Sequence, residues 1–148
     1  MDAIAVFKTR RVKGEAVASA TRRGLRLRVR FTQIPKGDHG FHIHRAGDLR
    51  GEGCHGACEH YHKGAATTHG GPPTRRGPRH TGDLGNVRGP RYTRTYTLRG
   101  VKPCDLWGRT LIVHADADDL GHGPHPDSKT TGHSGKRIAC AIFGRGDP

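Results

Sequence analysis

Helical periodicity is missing from this chain. No window sustains an apolar repeat of 3.6 residues, which excludes a helical bundle. Apolar residues are scarce too, at 32% of the 148 residues with 5% aromatic. Such a chain encloses a thin core, and its length favours one domain, residues 1–148. No apolar run approaches the roughly 18 residues of a membrane-spanning helix. Near Met1 no basic segment precedes a long apolar stretch, so no secretory leader is expected. The expected location is therefore cytoplasmic. There is no internal repeat, no nucleic-acid-binding motif and no aromatic stacking platform, so no specific nucleic-acid partner is expected.

Carboxylates are also few. Thirteen Asp and Glu stand against 26 Lys and Arg, a formal charge of +13. An excess of this size suits an anionic partner, whether a polyanion, a membrane surface or a small anionic substrate. It equally suits a solvated surface, because net charge does not specify a fold. Twelve His and four Cys are the other surplus. Metal binding or a disulfide can supplement a thin core, although disulfides are uncommon inside cells.

Short strands are legible. Leu25, Leu27, Val29 and Phe31 alternate with Arg26, Arg28 and Arg30, the pattern of a half-buried strand whose Arg face is solvated. Ile4 to Lys8 and Glu15 to Ala20 read as strands around a turn near Gly14. Tyr92 to Leu98, Leu111 to His114 and Ile138 to Phe143 follow. Strands punctuated by Gly and Pro predict an all-β sandwich or barrel. Two segments, 45–83 and 115–137, are too long for hairpins and rich in Gly, Pro and His. Long loops of this kind are usually functional or disordered. Gly70 to Pro78 reads as an exposed tip.

Those loops carry metal-ligand side chains. His42 and His44 lie two apart on a strand and so project to one side, with Phe41 and Ile43 on the other. His114 closes another apolar strand, and His60, His69, His80 and Asp83 come from the long loop. Three imidazoles with one carboxylate suit tetrahedral zinc, and an all-imidazole set suits copper(II).

At these residues the chain resembles the copper–zinc superoxide dismutases. The matching stretches are His39 to His44, Gly47-Asp48, Gly53-Cys54, His60-Tyr61, His69 to Pro72, His80 to Asn86, Gly108 to Gly121, and Lys136 to Cys140. The resemblance implies a Greek-key β-sandwich or flattened barrel of about eight short antiparallel strands, with two long metal-binding and active-site loops. It implies copper on His42, His44, His60 and His114, and zinc on His60, His69, His80 and Asp83, with His60 bridging the two. Asp118 would link a copper-ligand His to a zinc-ligand His. Cys54 and Cys140 would form a disulfide, and Arg137 would attract superoxide beside the copper. Arg137 and His60 would be the catalytic residues. The implied activity converts superoxide to dioxygen and hydrogen peroxide by copper redox cycling. A homodimer and delivery of copper by a copper chaperone are implied partners. The Arg-rich composition suits a viral member, for which the virion is a second location.

The chain departs from the family pattern in places. His60 and His69 are further apart than usual, and His62 stands where the family has Asn, so His62 is the alternative bridge. The segment after Asn86 is short. Cys58 has no usual counterpart and reads as a small thiol, a competitor for Cys140 or a metal ligand. Cys104 reads as a free thiol near the start of the strand leading to His114. Asp127 is retained at the channel rim, Pro126 and Thr130 replace charged residues, and Arg145 falls at a usually apolar position. Two other readings stand beside an active enzyme. One is a weak or inactive relative that binds metal as a decoy and engages a copper chaperone. The other is a basic module holding only structural zinc.

Overall fold

The computed structural model describes residues 1–147. Among them, strands β1 (Asp2–Lys8), β2 (Lys13–Thr21), β3 (Gly24–Gln33), β4 (Gly37–His44), β5 (Asp83–Gly89), β6 (Tyr92–Leu98), β7 (Thr110–His114), β8 (Arg137–Ile142) and β9 (Gly144–Gly146) form two antiparallel sheets. One sheet runs β6-β3-β2-β1-β9, the other β5-β4-β7-β8. After β4 and β5 have built the second sheet, β6 returns to the first beside β3, the Greek-key connection. The three-residue β9 makes nine strands where about eight were expected.

The alternation in β3 does what its period requires. Leu25, Leu27, Val29 and Phe31 are buried and the intervening Arg are exposed. Phe31 meets Phe7 at 5.4 Å and Phe41 at 5.5 Å between ring centroids, so these aromatics join the two sheets. Fully burying a side chain of this size contributes about 1.5–3 kcal/mol. In β4, Phe41 to His44 are all buried. Phe41 and Ile43 enter the core, while His42 and His44 are covered from the other side by the long loops.

Several local readings are corrected. β5 was not recognised, because Asp83-Leu84-Gly85-Asn86 lacks strand propensity and is ordered by pairing with β4. The first long loop contains a 3-10 segment, Glu52–Ala57. Cys104 is the expected free thiol ahead of β7, but it lies exposed in a short helix, α1 (Pro103–Leu106). Gly70 and Gly71 are buried, so the exposed tip is only Thr74 to Pro78. The connection after β5 is only Pro90 and Arg91, in keeping with the short segment expected after Asn86. No helix among the described residues is long and apolar enough to cross a membrane.

Candidate metal centre

The β4–β7 register sets the first two arms of the site. Phe41 pairs with Val113 and His44 with Thr110, which brings His114, at the end of β7, beside His42. Their rings stand 4.8 Å apart. β4 has a register shift between Gly40 and His42, an irregularity of the kind that re-aims side chains. The long loop then runs back antiparallel to the end of β4. Tyr61 N donates to Ile43 O at 2.7 Å and Arg45 N to Glu59 O at 2.9 Å. That pairing puts His60 between His42, at 4.0 Å, and His44, at 4.8 Å. The Arg109 guanidinium lies 4.0 Å over the Tyr61 ring and pins the same turn.

Two ligand clusters share His60. His42, His44, His60 and His114 each offer a nitrogen within 4.8 Å of the others, and so do His60, His69, His80 and the Asp83 oxygen. His42 Nδ1, His44 Nε2, His60 Nε2 and His114 Nε2 are buried and have no hydrogen-bond partner. One such orphan costs about 1–3 kcal/mol, and four converging at one place is the arrangement a bound cation would relieve.

The opposite nitrogen of each ring is anchored. His42 Nε2 lies 2.7 Å from Asp118 Oδ2, His44 Nδ1 2.7 Å from Cys58 O, His114 Nδ1 3.1 Å from Gly135 O, and His60 Nδ1 2.8 Å from Asp83 Oδ1. Donation from that side leaves a lone pair on the converging nitrogen. Burial pushes the pKa values of His42 and His44 well below the usual histidine value and that of His114 down to about 3. These rings are therefore neutral, the form in which imidazole can bind a metal. A neutral all-imidazole set fits copper(II).

The second cluster has a carboxylate at its centre. Asp83 Oδ1 meets His69 Nδ1 at 2.9 Å as well as His60, and Oδ2 accepts from Gly70 N at 2.9 Å and His80 N at 2.7 Å. His80 Nδ1 is 3.3 Å from Oδ2 without a hydrogen bond. Burial would raise the Asp83 pKa, but hydrogen bonds from His60 and His69 outweigh it and hold the carboxyl ionised. Three imidazoles around one carboxylate fit zinc. Asp118 connects the clusters, since its Oδ1 lies 2.7 Å from His69 Nε2.

His60, and not His62, stands between the clusters. His62 is half-buried and belongs to neither cluster, its Nε2 2.7 Å from Ala65 O and its Nδ1 accepting from Thr81 N at 3.1 Å. Arg137, at the start of β8, donates to Cys54 O at 2.9 Å and Cys58 O at 2.6 Å. It lines, with His44, His60, Lys129 and Thr131, a cavity of about 740 Å³. Cys54 and Cys140 form a disulfide that ties the 3-10 segment to β8. Cys58 is a half-buried free thiol whose Sγ is 3.2 Å from Gly56 O.

Sequence reasoning assigned no role to two further residues. Asn86 holds Asp118 in place by a pair of bonds, donating to its carbonyl at 3.0 Å and accepting from its N–H at 2.7 Å. His39 is buried, with Nδ1 2.9 Å from His114 O and Nε2 2.8 Å from Pro35 O. Both lay inside motifs already noticed, but only the fold shows what they touch. Gly132, at φ +73°, leaves room that a Cβ would fill against Asp118 and His69.

Comparison with known proteins agrees with this geometry. The family described as copper/zinc superoxide dismutase (SODC) matches residues 12–143. The chain is 45% identical over 118 residues to the superoxide dismutase [Cu-Zn] of Paramecium bursaria Chlorella virus 1, covering 74% of this chain. It spans only 60% of that relative's length. It is 46% identical over 115 residues to the copper chaperone for superoxide dismutase of Mus musculus, covering 76% of this chain and 40% of that one. The crystal structure of the clock protein EA4 superposes with a TM-score of 0.83 at 34% identity, covering 97% of this chain and 93% of that chain. On this match, the chain belongs to the copper/zinc superoxide dismutase family.

Proposed function

We propose that this chain is an active superoxide dismutase, with copper held by His42, His44, His60 and His114 and zinc by His60, His69, His80 and Asp83. The observation that carries the reading is the convergence of four unpartnered, buried imidazole nitrogens, two of them on residues, His44 and His60, that line a cavity with Arg137. Copper, when bound there, supplies one-electron redox chemistry, and zinc supplies a fixed charge.

The chain's own residues do the rest. Arg137 is kept in place by two backbone carbonyls, so its charge attracts a small anion into the cavity with little reorganisation. Lys129 on the same lining adds to the attraction, which salt would screen. His60, anchored through Nδ1, presents Nε2 as the site that takes up a proton and passes it to the reduced substrate. Asp118 fixes the ring planes of His42 and His69. The disulfide holds the loop whose carbonyls hold Arg137.

The test is superoxide dismutation by protein reconstituted with copper and zinc, with both metals quantified on the same sample. Turnover at near one copper and one zinc per chain, lost in His114→Ala and lowered in Arg137→Ala, is the expected result. Full loading of both metals without turnover would overturn it. The likeness to the mouse copper chaperone favours the second reading in that event: a metal-binding, non-catalytic relative that engages a copper chaperone. Complex formation with such a chaperone would then be measured directly.

A further inference from the structure

Charge on this molecule is segregated by sheet. Residues 1–33 and 91–99, which build β1, β2, β3 and β6 with adjoining turns, hold twelve Lys or Arg and two carboxylates, Asp2 and Glu15. The other residues hold fourteen basic against eleven acidic. Ten of the thirteen net charges therefore belong to β1, β2, β3 and β6 with their turns. The ion pairs made by Lys and Arg lie elsewhere, at Arg50–Asp48, Lys63–Asp105 and Arg88–Asp38.

The outer face of β3 concentrates this charge. Arg26, Arg28 and Arg30 are exposed, and the register sets them opposite Thr97, Thr95 and Thr93 of β6. On the other side Ser19 stands opposite Arg26. Val17, Ser19, Arg26, Arg28, Thr93 and Thr95 line one shallow groove. The first groove makes a strip of guanidinium and hydroxyl groups along the outer face of β3 and β6. A second groove at the β6 edge sets Arg23, Arg99 and Thr97 beside Thr95, while Arg94 there bonds Thr74 and packs over the Tyr96 ring.

Strip chemistry and spacing both match a phosphate backbone. Alternate residues on a strand are about 6.8 Å apart, twice the roughly 3.4 Å axial step between phosphates along one strand of a duplex. Arg and Thr are phosphate-contacting side chains, and the planar Arg fork suits phosphate oxygens. Tyr92 and Tyr96 of β6 turn to the core, so the strip presents no ring for a base to stack on, as a single-strand binder would. We propose that the outer face of β3 and β6 docks the phosphate backbone of a nucleic-acid duplex without reading its sequence. His42 and His44 leave β4 on the far side of the sandwich, so a docked duplex leaves the metal cavity open.

The experiment uses the full chain loaded with both metals and a fluorescent 20-base-pair DNA duplex of mixed sequence, titrated at several NaCl concentrations. Affinity that falls linearly on a log–log salt plot and does not change with base sequence is expected. The Arg26→Thr/Arg28→Thr/Arg30→Thr variant keeps good strand formers on the face and should lower the slope by about 2.7, at roughly 0.9 per phosphate contact. Lys36→Ser/Arg50→Ser/Lys102→Ser removes equal charge elsewhere and should leave the slope nearly unchanged. Arg28→Glu is the single-site variant for the case in which the triple variant does not fold, and it should weaken binding at every salt concentration. No binding at 50 mM NaCl, or equal losses in the two triple variants, would overturn the proposal. So would a heparin fragment that outcompetes the duplex with the same three-Arg dependence, since the face would then be a sulfated-glycan site.

Discussion

Asp118 Oδ2 lies 2.7 Å from His42 Nε2, both side chains fully buried, and the other oxygen of the same carboxylate holds His69. One side chain thus orients a ring in each ligand cluster. Asp118→Ala should leave both rings free to turn and lower metal affinity by about 10–100-fold. Chelator competition on the purified variant measures this. An unchanged affinity for both metals would show that the rings are held by packing alone. Asn86→Ala, which releases Asp118 without removing it, should have the same effect at smaller magnitude.

The Cys54–Cys140 disulfide closes a loop of 86 residues. Removing it should destabilise the fold by about 2–5 kcal/mol. The double variant Cys54→Ser/Cys140→Ser is the right one, because neither half of the disulfide is left to pair with Cys58. Denaturant unfolding of metal-free protein reads the stability. A loss of substrate attraction should accompany it, because Arg137 donates to the Cys54 carbonyl. Full activity in the reduced double variant would separate the disulfide from the positioning of Arg137.

Acid should destabilise the metal-free protein. Burial holds His42, His44, His60 and His114 below the ordinary histidine pKa, His114 near 3, whereas in the unfolded chain they titrate near 6.5. Below pH 6.5 the unfolded chain binds more protons, so stability falls as pH falls, by up to about 1.4 kcal/mol per pH unit for each histidine. His69 acts in reverse. Burial lowers its pKa, but hydrogen bonds to Asp118 and Asp83 outweigh that and raise it to about 9. The stability it lends is complete below 6.5 and fades as pH rises through 9. The melting temperature should therefore drop steeply on the acid side and more gently on the alkaline side. A flat profile between pH 6.5 and 4.5 would contradict the buried, neutral state of the four histidines.

Phe41 links core and site. Its ring stands 5.5 Å from Phe31 and 6.4 Å from Tyr96, and its backbone leads directly into His42. Phe41→Ala should cost about 3–5 kcal/mol of stability. Metal affinity should fall with it, since the strand that aims His42 and His44 loses its seat. Thermal unfolding and metal titration on one sample would detect a variant in which only one of the two changes.

Local pattern alone determined a good deal. Leu25 to Phe31 declared a half-buried strand because the side-chain period of a strand is two, a property of the backbone that needs no partner. His42 and His44 shared a side for the same reason. The spacing of His60, His69, His80, Asp83 and His114 carried the family resemblance, and with it the expected clusters and the disulfide. Tertiary structure decided what depends on contacts distant in sequence. β5, with Gly85 and Asn86 in it, is a strand only because β4 is beside it. His60 rather than His62 occupies the shared position because Tyr61 pairs with Ile43. Asn86 became visible as the brace of Asp118, 32 residues away. The Arg column of β3 gained its neighbours, and its meaning as a face, only when β6 returned to lie against it. Periodicity is written in the chain, whereas convergence requires the loops to be closed by the burial of a shared core, and no local stretch of residues contains that information.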